Sequence, residues 1–148
     1  MIDLDLYQLL NISRESVESK IQRAISETKE QLSFLPIERT CVIYSNYLYN
    51  NLRNKHVVLR LINTEDLGID YKHHFLLVSD KRSSYYLADL TYGQFGDDEY
   101  LSKLVRDGYE KMDELKWAYY LSRFDGYGVC SLDQAFDREV PNEKVVSK

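Results

Sequence analysis

A chain of 148 residues, 44% hydrophobic and 29% charged, has the composition of one globular domain, 1–148, long enough to bury a core. A formal charge of −5 and a pI near 5.2 argue against nucleic acid or an anionic membrane as the main partner. No apolar run reaches bilayer length, and MIDLDLYQLL lacks the basic and long apolar regions of a signal peptide.

The segment 3–11 reads as a short helix. A second is expected to open near Ser13, with Glu15 in its first turn. Val17, Ile21, Ala24, Ile25, Thr28 and Leu32 recur in steps of three and four, so one face is buried, and Pro36 lies at or beyond its end. ERTCVIYSNYLYNNLRN predicts a helix over about 40–53, with Thr40 as N-cap and Cys41 at the first helical position. Val42, Ile43, Tyr44, Tyr47, Leu48 and Leu52 make it a central, largely buried helix.

HVVLRLIN (56–63) is rich in β-branched residues and reads as a strand, with TEDLGIDYK (64–72) as the loop after it. HFLLVS and SYYLAD are two further strands joined by the four-residue turn DKRS. LTYGQFGD is a loop, after which Asp97 or Asp98 caps a helix running to about Arg106. Gly108 interrupts the pattern, and YEKMDELKWAYYLSRF reads as a last helix. From Asp125 the periodicity is weak, so the tail is expected to be weakly ordered. Helices, three strands and helices again make an α+β fold with a small antiparallel sheet packed on helices.

Two cysteines, Cys41 and Cys130, are too few for a disulfide framework, so a reducing cytosol is the expected compartment. Export without a cleavable signal would leave no mark. A cysteine at a helix N-terminus sits among unpaired N–H groups at the positive end of the macrodipole, which favours thiolate and can hold an oxyanion. Cys130, in YGVCS, carries no such signal. A thiol nucleophile needs an imidazole, and the imidazole needs a carboxylate to orient it. His74 and Asp89 lie fifteen residues apart, at the start of one strand and the end of the next. With a four-residue turn between them, these two face each other at one sheet edge. His73 points to the opposite face and is the alternate base. His56 reads as a surface or edge histidine. Adjacent histidines on a strand chelate one ion poorly, and CxxC and HxxxH spacings are missing, so no metal is expected. The chain also lacks a phosphate-cradling glycine loop and a serine-hydrolase elbow. Its thirteen tyrosines suit half-buried filling positions or a binding surface.

Helix-initial Cys41, strand-initial His74 and Asp89 in ADLTYGQF together resemble the papain-like superfamily of cysteine enzymes. Its relatives include the transglutaminase-like core, arylamine N-acetyltransferases and bacterial effector peptidases or glutamine deamidases. Asp89, Thr91, Tyr92, Gln94 and Phe95 carry the match, which spans about residues 38–96. The resemblance implies a papain-like core and a thiol hydrolase with Cys41 as nucleophile, His74 as base and Asp89 as orienting group. It implies a protein or peptide amide substrate and no cofactor. Position 35, where many such enzymes place an oxyanion glutamine, is Leu, which leaves Gln94 and Asn46 as donor candidates. The same departure keeps a second expectation open, a catalytically inactive papain-fold protein that binds or regulates a partner.

Overall fold

The computed structural model describes residues 16–80 and 84–137. The helix read over 3–11, the cap at Ser13, the turn residues 81–83 and the tail beyond 137 lie outside them. The first described helix, α1 (Val17–Gln31), is capped by Ser16, whose hydroxyl accepts from the Ser19 N–H at 3.1 Å. It buries Ile21, Ala24, Ile25 and Thr28, the apolar face that the spacing marks out. Helix α2 (Cys41–Leu52) starts at the cysteine, after a loop containing Pro36.

Four strands form one antiparallel sheet in the order β1 (Val58–Asn63), β2 (His74–Ser79), β3 (Tyr85–Ala88), β4 (Tyr109–Met112). Helices α3 (Ser102–Asp107), α4 (Glu114–Ser122) and α5 (Leu132–Asp137) complete an α+β architecture with five helices among the described residues. The sheet carries a hydrophobic layer on each side. On one side Leu76, Val78 and Ala88 pack against Ile21, Ala24, Ile25, Leu48 and Leu52 of α1 and α2. On the other, Phe75, Leu77 and Leu87 meet Trp117, Tyr120 and Leu121 of α4, with Leu132, Ala135 and Phe136 of α5. Strand β2 is covered on both sides, which is why HFLLVS reads as a continuous apolar run and not as an alternating one. None of these helices is long and apolar enough to cross a membrane.

Three expectations need correction. YEKM is the edge strand β4, not the start of a helix. Gly108 takes a left-handed conformation (φ 86°) that turns the chain back along β3, and its carbonyl accepts from the Asp89 N–H at 2.9 Å. The next helix, α4, begins only after Asp113, which caps it through the Lys116 N–H. The segment 125–137 is ordered to its end by α5, whose Leu132, Ala135 and Phe136 join the core. Finally, α2 is one-sided. Tyr44, Ser45, Leu48 and Leu52 are buried, whereas Val42 (42%), Ile43 (42%) and Tyr47 (44%) are exposed.

The β2–β3 register determines which histidine faces Asp89. Ser79 pairs with Tyr85 and Leu76 with Ala88, so five residues, 80–84, separate the paired strands where the sequence suggests four. Directly paired residues share a sheet face, and a one-residue shift moves every side chain to the other face. Continued past Ala88, this register puts Asp89 opposite Phe75, on the side to which His73 also points. His74 points to the other side, with Leu76 and Val78.

Candidate active site

Cys41 is placed by α2. Thr40 precedes it, but the Thr40 hydroxyl donates to the Pro36 carbonyl at 2.6 Å and does not cap the helix. The first intrahelical bond runs from the Tyr44 N–H to the Thr40 carbonyl, so the N–H groups of the first turn have no partner one turn back. One turn further, on the same helix face, the Ser45 hydroxyl donates to the His74 carbonyl at 3.1 Å. That bond fastens α2 to the beginning of β2 and brings the cysteine to the two histidines.

The backbone of His73 is held by Thr64, which is fully buried. The Thr64 N–H donates to the His73 carbonyl at 2.8 Å, and the His73 N–H donates to the Thr64 hydroxyl at 2.8 Å. The His73 ring is 1% exposed. It stacks on Phe124 (centroids 4.9 Å) and Phe75 (6.5 Å), with Phe95 edge-on at 5.3 Å. Its Nε2 lies 2.7 Å from Oδ2 of Asp89. Asp89 is itself 2% exposed. Besides the His73 contact it accepts from the Tyr120 hydroxyl on Oδ2 at 2.7 Å, and from the Thr91 N–H (3.1 Å) and hydroxyl (3.2 Å) on Oδ1. Both oxygens are therefore fully engaged, and the carboxyl can turn in neither direction.

The carboxylate thus meets His73, not the His74 that the four-residue turn suggests. His74 still lies beside Cys41. It is half-buried, with Nδ1 3.9 Å from Sγ of Cys41. With Nε2 of His73 committed to Asp89, the Nδ1 of that ring is the atom left for the sulfur.

Burial of the half-exposed Cys41 opposes ionisation, but hydrogen bonds from His73 and then His74 outweigh it and bring the thiol down to about 6. Burial likewise opposes charge on His73. The charge and hydrogen bond of Asp89, followed by contact with Cys41, outweigh it and raise the imidazole to about 10. Near neutral pH the two therefore form a thiolate–imidazolium pair, titrating as a unit. For Tyr120, burial and then Asp89 hold the phenol well above its ordinary range, so it stays protonated and donates.

Of the oxyanion candidates, the structure brings Gln94 to the start of α2. Its Oε1 accepts from the Arg39 N–H at 3.3 Å, two residues before Cys41. Asn46 is exposed and sits about 140° round the helix from Cys41. His56 is exposed, with φ 63°. Cys130 belongs to the far layer, where its carbonyl accepts from Trp117 Nε1 at 3.0 Å. Among the described residues, no group of three or more His, Cys, Asp or Glu is arranged to hold a metal ion.

Tyr120, Thr64, Ser45 and Phe124 are the contributors that sequence reasoning misses. The excess of tyrosine was a signal without an address, because nothing local marks which ring reaches a carboxylate thirty-one residues earlier. Compared with protein-family models, curated proteins and solved structures, the chain gives no match.

Proposed function

We propose that this chain is a papain-like thiol hydrolase of protein or peptide amide bonds, either a cysteine peptidase or a protein-glutamine deamidase. The observation that carries the reading is the sealed Asp89–His73 pair beside a helix-initial thiol brought down to about 6. A buried thiol kept for packing has its ionisation suppressed; here the opposite holds. A cysteine starting a helix, an imidazole before one antiparallel strand and a carboxylate after the next, in that chain order, is also what supports the papain-like assignment.

The Cys41 thiolate attacks the substrate carbonyl. Charge developing on the oxygen is met by the N–H groups of the first turn of α2, with the Gln94 amide as a second donor. His73 gives its Nδ1 proton to the departing amine or ammonia, and Asp89 holds the ring through Nε2. The exposed Val42 and Ile43, directly after the nucleophile, favour a polypeptide with apolar residues near the scissile group over a small polar amide.

The test is the rate at which iodoacetamide alkylates Cys41 at pH 6, with peptide cleavage and ammonia release from glutamine peptides monitored in parallel. Alkylation far above that of free cysteine, lost in His73→Ala, is expected. A rate no greater than in the unfolded chain sinks the proposal.

A further inference from the structure

Resting on that reading, we propose that the two consecutive histidines divide the catalytic cycle. His73 is the ion-pair partner and acid of acylation, and His74 is the base that activates water to resolve the acyl-enzyme.

The two rings differ in access. His73 is walled by Phe75, Phe95 and Phe124, is 1% exposed, and has Nε2 committed to Asp89. The one polar ring atom it has not committed to Asp89 is Nδ1. Once it has given its proton to the leaving group, the Asp89 carboxylate still favours its protonated form, which suits an acid better than a base. The second half of the cycle needs a neutral nitrogen that both solvent and the thioester can reach.

His74 has that position. It approaches the sulfur from the other side of the sheet, with Nδ1 3.9 Å from Sγ, and it is half-exposed. Its backbone is fixed, because the Ser45 hydroxyl donates to its carbonyl at 3.1 Å and β2 pairs it with Asn63 of β1. In deacylation a water oxygen bonds to the thioester carbon while one of its protons passes to the His74 imidazole. The tetrahedral intermediate then breaks its C–S bond, and the electron pair returns to sulfur as the thiolate that pairs with imidazolium His73. The acid product passes its proton to His73, which restores the imidazolium of the ion pair, and His74 releases its own proton to solvent.

p-Nitrophenyl acetate separates the two halves, since the nitrophenolate burst reports acylation and the steady state reports loss of acetyl from Cys41. His74→Ala and the shape-preserving His74→Gln are expected to keep the burst and to slow the steady state by about 10²-fold. Acetyl-enzyme should then accumulate in intact-mass spectra, and added imidazole should restore turnover, because this face is open to solvent. His73→Ala should lose the burst. Wild-type steady-state rates in both His74 variants overturn the inference, as does a burst lost together with the steady state in folded His74→Gln. If wild-type protein gives no burst beyond that of Cys41→Ser, the hydrolase reading falls and takes this inference with it.

Discussion

The two sides of the Cys41 sulfur differ more than their adjacency in sequence suggests. On one side His73, Asp89 and Tyr120 form a sealed chain, each member at most 2% exposed, with the His73 ring and the Tyr120 hydroxyl both bonded to Oδ2 of Asp89. On the other, His74 and the first turn of α2 are half-exposed, with a single sulfur–nitrogen contact at 3.9 Å. Burying the first set removes it from water at considerable cost, offset only because every lone pair is met. What that seal provides is a fixed ring and a persistent charge; what it forgoes is access. The open side has the reverse properties.

Substitution at the sealed end should break this contrast most visibly. If the chain is the proposed hydrolase, Cys41→Ser and His73→Ala should lower amide turnover by about 10⁴-fold or more, measured as product release. At pH 6, His73→Ala should also slow alkylation by about 10²-fold, as the thiol returns toward its ordinary range. Asp89→Asn keeps the shape but not the charge, and a fall of about 10³–10⁴-fold in turnover is expected. Asp89→Ala, which strands the buried imidazole, should cost about 3–5 kcal/mol in urea unfolding.

The pH profile sharpens the contrast. Cys41 is depressed to about 6, so alkylation should fall about tenfold per unit as pH drops below 6, while the thiolate persists above it. His73 is raised to about 10, so under the proposed mechanism, in which His73 is the acid, turnover should hold through neutrality and decline only as pH rises through about 10. Inflections at the ordinary cysteine and histidine values would mean that the pair does not form.

Tyr120→Phe removes one donor from Asp89 and leaves the ring packed against Phe75 and Phe124. About 1.5–3 kcal/mol of stability should go with that hydrogen bond to a charged group, read from denaturant melts. The smallest effect belongs to the open side. His74→Gln should change both stability and alkylation rate only a few-fold, with its larger effect confined to deacylation.

Much of this was legible in the chain. The apolar face of α1, the start of α2 at Cys41 and the full extent of β2 can be read from local spacing, because helix and strand periods are local properties. Strand β4 was hidden because YEKM has no alternation of its own and gains its strand character from pairing with β3. Tyr120 was hidden because its role exists only where α4 crosses the sheet.

From the sequence alone came a helix-initial thiol, a histidine pair and a carboxylate at one end of a hairpin, with their meeting as an expectation. Only the tertiary structure decided which histidine meets the carboxylate, and it did so through a loop one residue longer than expected. Side chains alternate across a strand with period two, so that single residue exchanges the faces of His73 and His74 relative to Asp89. Strand identity is written locally; pairing register is chosen by which faces the two helical layers bury.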